Sequence, residues 1–129
     1  MIMIIRHAEK PHHSSSPHGI NAEGDHDGHS LTVDGWLRAG ALVGLFAPSR
    51  GEPPVGFRRP DTIYGSAYEE EAIHKIAEHL GEVSPPPPVH WPGDRFDVVW
   101  TFTRNGNGWR FAQVPQMLLP GDLPYPITD

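Results

Sequence analysis

A chain of 129 residues has room for one compact domain, and 15 prolines with 14 glycines against 37% hydrophobic residues describe a loop-rich structure around a modest core. Four Trp, three Tyr and five Phe supply bulky anchors, which argues against intrinsic disorder. Ten basic against 16 acidic residues, a net charge of −6, leave no basic stripe for nucleic-acid phosphates, and the lack of cysteine excludes disulfides and thiolate metal sites.

The chain opens MIMIIRHAEKP. Met1–Ile5 are apolar and mostly β-branched, which reads as a strand buried on both faces. Pro11 cannot continue a ladder, so the strand ends within Arg6 to Lys10. In an open α/β sheet the carboxyl ends of parallel strands are where ligands sit, which places Arg6 and His7 for chemistry. The apolar start has no basic region before it and ends after five residues, so no signal peptide or membrane span is expected and a cytoplasmic location is. A polar, His-rich loop follows over residues 11–30. LTVDGWLRAGALVGLFAPS then reads as a helix with Thr32 as N-cap, Asp34 in the first turn and Pro48 as the stop. Its expected apolar stripe is Val33, Leu37, Ala41 and Leu45, and Gly40 with Gly44 leave room for a close neighbour.

A turn-rich connector leads to DTIYGSA, read as a short second strand. Ser66 to Glu69 match a capping box. The helix it opens places Ala72, Ile73, Ile76, Ala77 and Leu80 on one face and ends at Gly81. Residues 82–93 form a Pro-rich, extended linker. FDVVWTF and WRFAQVPQ alternate as two strands around Asn105-Gly106-Asn107-Gly108, which is hairpin turn chemistry. Trp91, Trp100 and Trp109 lie in or beside these strands, where cross-strand aromatic packing is their ordinary use.

Arg6-His7-Ala8-Glu9-Lys10-Pro11 resembles the RHxE signature of the histidine phosphatase (phosphoglycerate mutase-like) superfamily. Leu31 to Leu42 is similar to that family's LTxxGxxRAxAL block, and Arg59 to Ser66 to its second strand. HWPGDRFDVVWTF and FAQVPQMLL resemble the tail of a small bacterial subgroup. The resemblance implies a three-layer α/β/α sandwich with a small, mostly parallel sheet, in a shortened form spanning 1–129 as one domain. It also implies a phosphomonoester hydrolase or phosphotransferase in which His7 carries the phosphoryl group and Arg6 clamps it, with Glu9, Lys10 and Ser66 binding substrate and no cofactor. The chemistry suits these residue types: a neutral imidazole is nucleophilic near pH 7, and guanidinium grips phosphoryl oxygens bidentately.

The chain departs from that pattern in the pocket. Glu70 stands where an SxxxR stretch from Ser66 would place a second Arg, and again where a later segment would place a second His. Two like charges about 4 Å apart repel by roughly 4 kcal/mol at an effective dielectric near 20. A lost charged hydrogen bond forfeits about 1.5–3 kcal/mol more, so phosphate binding is expected to be weak. Two alternatives follow. His7 and Glu70 can form an acid–base pair acting on an uncharged small metabolite as an isomerase, cyclase or hydrolase; or the chain is a catalytically silent binding or oligomerising protein.

His12, His13, His18, His26 and His29, interleaved with Asp25 and Asp27, match no zinc motif. No metal is therefore assigned, and the first four of these histidines are the weak candidates. A shortened sheet leaves an edge and apolar surface, so a homo-oligomer through that sheet is expected, with a small molecule as the other partner and neither nucleic acid nor membrane.

Overall fold

The computed structural model describes residues 1–12, 15–65 and 71–128. In chain order the elements are β1 (Ile2–Ile4), α1 (Val33–Phe46), α2 (Glu71–Leu80), β2 (Val83–Ser84), β3 (Val98–Asn105) and β4 (Gly108–Pro115). The capping box at Ser66–Glu69 lies outside the described residues.

β3 and β4 form the predicted hairpin. They pair antiparallel from Val98↔Pro115 to Asn105↔Gly108. Gly106 has φ +61° while Asn107 keeps a negative φ, the arrangement of a type II′ turn, whose twist matches the strands it joins. β1 pairs antiparallel to β3, Ile4 opposite Trp100, and the two-residue β2 pairs parallel to β4. The sheet order is β1-β3-β4-β2.

This corrects the expected architecture. The sheet is mixed and mostly antiparallel, and the molecule is not a three-layer α/β/α sandwich. The reason lies in the segment read as a second strand. Its described residues, 61–65, form no strand, and Ile63 and Tyr64 are 83% and 90% exposed. Without that strand there is no β-α-β crossover to set a parallel neighbour beside β1. β1 instead becomes an edge strand of half-buried residues beside the C-terminal hairpin, rather than a strand buried on both faces.

The strand period of two divides the core between the faces of the sheet. Val98, Trp100, Phe102 and Phe111 face one side with Trp91 and Ile127, joined by Ile2, Ile4, Val83, Trp109 and Leu80, the last residue of α2. Trp91 from the Pro-rich segment lies 4.7 Å from Trp100, centroid to centroid, so that linker contributes to the core instead of only spanning it. The Gln113 side chain bonds both backbone groups of Ile127, at 2.9 and 3.0 Å, which holds the C-terminal segment over this face. The other face packs Val99 against Leu45 and Phe57, with Met3, Leu42, Phe46, Val114 and Leu118.

α1 begins as expected, with Thr32 Oγ1 accepting the Gly35 N–H at 3.2 Å. Its buried side is rotated from the expected stripe, because Gly35, Arg38 and Leu45 face inward whereas Val33 and Leu37 are exposed. An inward arginine produces the rotation, and apolar periodicity does not register one. α2 ends before Gly81, whose φ of +86° is the left-handed C′ conformation expected there.

Candidate functional site

The hexapeptide after β1 divides between two environments. Arg6 and His7 turn toward the segment that leads into β3. Arg6 Nη1 donates to the Pro92 carbonyl at 2.9 Å, and its Cζ sits 4.8 Å from the centroid of the Phe96 ring, a cation–π distance. The His7 ring tilts over the same Phe96 at 5.8 Å. Phe96 is thus a shared platform for the two side chains, a role not anticipated for it, although it falls in the WPGDRF stretch that carries part of the family resemblance.

His7 itself is exposed, and its Nδ1 lies 2.7 Å from the Ala8 carbonyl oxygen. A carbonyl only accepts, so this contact requires the proton on Nδ1. The neutral ring then keeps its lone pair on Nε2. Arg6 keeps Nε and Nη2 free of hydrogen bonds among the described residues. Lys10 is exposed beside this pair in sequence. Glu70 and Ser66, the remaining assigned site residues, lie outside the described residues.

Glu9 goes the other way. Its carbonyl accepts from both the N–H and the hydroxyl of Thr32, at 2.9 and 3.2 Å, and a Cβ on Gly35 would stand 2.3 Å from that same oxygen. Only glycine lets the helix start approach so closely. The Glu9 carboxylate meets Arg38 Nε at 2.8 Å, and its second oxygen is buried without a partner among the described residues. Arg38, 4% exposed, also reaches Gln116 Oε1 at 2.8 Å and takes Asp122 in a two-pronged grip at 2.6 and 3.1 Å. Asp122 in turn accepts the N–H groups of Leu118 and Leu119 at 2.8 and 3.1 Å.

Electrostatics follows this network. Burial alone pushes Asp122 upward, but hydrogen bonds from Arg38 and from the two backbone N–H groups outweigh it and hold the carboxyl below its ordinary value. Burial pulls Arg38 down, while Asp122 and Glu9 more than reverse this and hold it protonated. The RHxE and LTxxGxxRAxAL blocks are thus joined by a buried polar hub that places Glu9 away from the Arg6–His7 surface.

In the His-rich loop, backbone bonds Asn21 N–H to Asp25 O and Asp27 N–H to Gly19 O close a turn, with an isolated bridge between Ile20 and His26. The rings of His18 and His26 stack at 4.5 Å. They line a shallow hollow of about 250 Å³ with Ser16, Pro17, Ile20, Thr32, Val33 and Asp34, which does not include His7. The N–H of His29 and the hydroxyl of Ser30 both donate to Asp27, and these bonds lower its pKa. His12 is exposed, and His13 lies outside the described residues. Among the described residues no three His, Asp or Glu side chains converge on a metal-sized position, and no helix is long and apolar enough to cross a membrane.

Comparison with protein-family models, curated proteins and solved structures returns no match for this chain.

Proposed function

We propose that the Arg6–His7 surface carries phosphoryl-transfer chemistry on small phosphomonoesters, with His7 Nε2 as the phosphoryl acceptor. The observation that carries this reading is the His7 Nδ1–Ala8 carbonyl contact of 2.7 Å on an exposed ring, which fixes the tautomer that leaves Nε2 nucleophilic and reachable. In the transfer step Nε2 bonds to phosphorus as the ester P–O bond breaks, and the leaving oxygen takes a proton from water. Water then attacks phosphorus, the P–N bond breaks, and inorganic phosphate leaves with His7 restored. Arg6 supplies the charge for the phosphoryl oxygens, and its tether to Pro92 and its place over Phe96 restrict the guanidinium before substrate arrives.

No general acid stands beside His7 among the described residues, so the reading favours substrates whose leaving group departs without one, such as aryl phosphates. A single cationic clamp also implies weak substrate binding. Hydrolysis of a generic aryl phosphate between pH 5 and 8 tests the reading. Turnover in the wild type that vanishes in His7→Ala supports it, and equal rates in both overturn it. A second reading, a silent scaffold, is favoured by the hub: Glu9, Thr32, Gly35 and Arg38 all take structural roles there. That reading is the one left standing if the aryl phosphate is untouched.

A further inference from the structure

Four apolar side chains of α1 have no place in either half of the core. Val33, Trp36, Leu37 and Val43 are 59%, 48%, 57% and 66% exposed. At 3.6 residues per turn they share one side of the helix with Gly40 and Gly44, opposite Gly35, Arg38, Leu42 and Leu45. A Cβ added at Gly40 or Gly44 would meet nothing within 4 Å. This side carries no charged residue, and Asp34 lies at its margin. The Trp36 indole N–H donates to the Ile20 carbonyl at 2.7 Å, which orients the ring on this surface before any partner arrives.

We propose that this face of α1 pairs with the same face of a second copy of the chain, the two helices crossing at the Gly40–Gly44 saddle. Charge favours a copy over a foreign partner. The chain carries a net −6, so most mutual approaches of two copies bring like charges together, whereas the outward side of α1 lets them meet without opposing carboxylates. A partner recognised by charge would find nothing here to read. Shape favours a copy as well. Glycines one turn apart form a shallow saddle between the Val33–Leu37 ridge and the Trp36–Val43 ridge, and a two-fold axis through it sets each copy's side chains against the other's glycines.

Area sets the strength. The four side chains expose on the order of 400 Å² of largely apolar surface, about half of the roughly 800 Å² per partner in a stable interface. The pair is therefore a concentration-dependent dimer in exchange with monomer, extended at its rim by Pro17 and Ile20 beside Val33. It places self-association on α1 rather than on the sheet edge, and it stands independently of the His7 reading.

Sedimentation equilibrium over a concentration series, on the wild type and on Gly40→Gln/Gly44→Gln, tests this. Both glycines lie in the helix with open space above them, and glutamine is the better helix former, so the double variant keeps or raises thermal stability. The wild type is expected to approach twice the monomer mass, with the double variant at least 10-fold weaker in association. Because the chain is free of cysteine, Gly40→Cys gives a second readout. Its oxidation is expected to yield covalent dimer far faster than that of Val55→Cys, a control at a fully exposed position. A wild type that stays monomeric to millimolar concentration overturns the proposal. So does a double variant that associates like the wild type, or a Gly40→Cys protein that cross-links no faster than the control.

Discussion

His7 and Glu9 stand two residues apart in one hexapeptide and differ in almost everything else. Glu9 is drawn inward, its carbonyl holding the start of α1 and its carboxylate neutralising a buried arginine. His7 is exposed, tied only to the next residue's carbonyl and resting against Phe96. The difference teaches that a motif of polar residues need not be one functional unit. What separates the two is whether a partner of opposite charge waits inside: Arg38 does for Glu9, and no acid or base does for His7 among the described residues. Removing the inward residues should damage the fold, whereas removing the outward ones should damage only chemistry.

The largest effect should come from the hub. Arg38→Ala leaves the carboxylates of Glu9 and Asp122 without their counter-charge, and unpairing buried ions typically costs about 3–5 kcal/mol. Urea unfolding should show a loss of that order, and a loss under about 1 kcal/mol would mean the hub is solvated in solution. Gly35→Ala comes next. The added Cβ stands 2.3 Å from the backbone oxygen of Glu9, which cannot swing aside as a side chain can. Overpacking of this kind costs about 1–3 kcal/mol, against the gain of about 1 kcal/mol that Gly→Ala gives at an open helix site such as Gly44. The opposite signs of these two substitutions in one helix sharpen the contrast between its inner and outer sides.

The pH dependence of stability is a third test. Asp122 has a lowered pKa in the folded protein, so the unfolded chain binds the proton more readily. Its contribution is full above the ordinary carboxyl value of 3.8 and is lost as pH falls through the lower folded value. Stability should therefore decline on acidification below about pH 4, and Asp122→Asn should be less stable at pH 7 with a flatter acid limb. An unchanged limb would remove Asp122 from the network. The smallest effect on folding belongs to His7→Ala, expected within about 0.5 kcal/mol of wild type in urea unfolding because the exposed ring leaves no buried group unpaired.

Much of the local structure was legible in the residues. Thr32, Gly81 and the Asn105–Gly108 turn act through backbone chemistry that needs no tertiary context, and each stands where it was expected. Strand direction was not legible. The apolar run Met1–Ile5 suits either a central parallel strand or the half-buried edge it forms, and its composition does not choose between them. The expected stripe on α1 failed because Arg38 faces inward, and an arginine in a pattern of apolar residues carries no signal of direction until its partners at Glu9, Gln116 and Asp122 are known, up to 84 residues away. For the same reason Arg6 and His7 could be picked out as a pair, while Phe96 beneath them and the diversion of Glu9 could not.

The most direct measurement is ³¹P NMR of the wild type and His7→Ala after incubation with a reactive aryl phosphate, quenched at alkaline pH, where a P–N bond to histidine survives. The account predicts a phosphohistidine resonance in the wild type and none in His7→Ala, with both proteins equally folded. No such resonance in the wild type, or one that persists without His7, would contradict it.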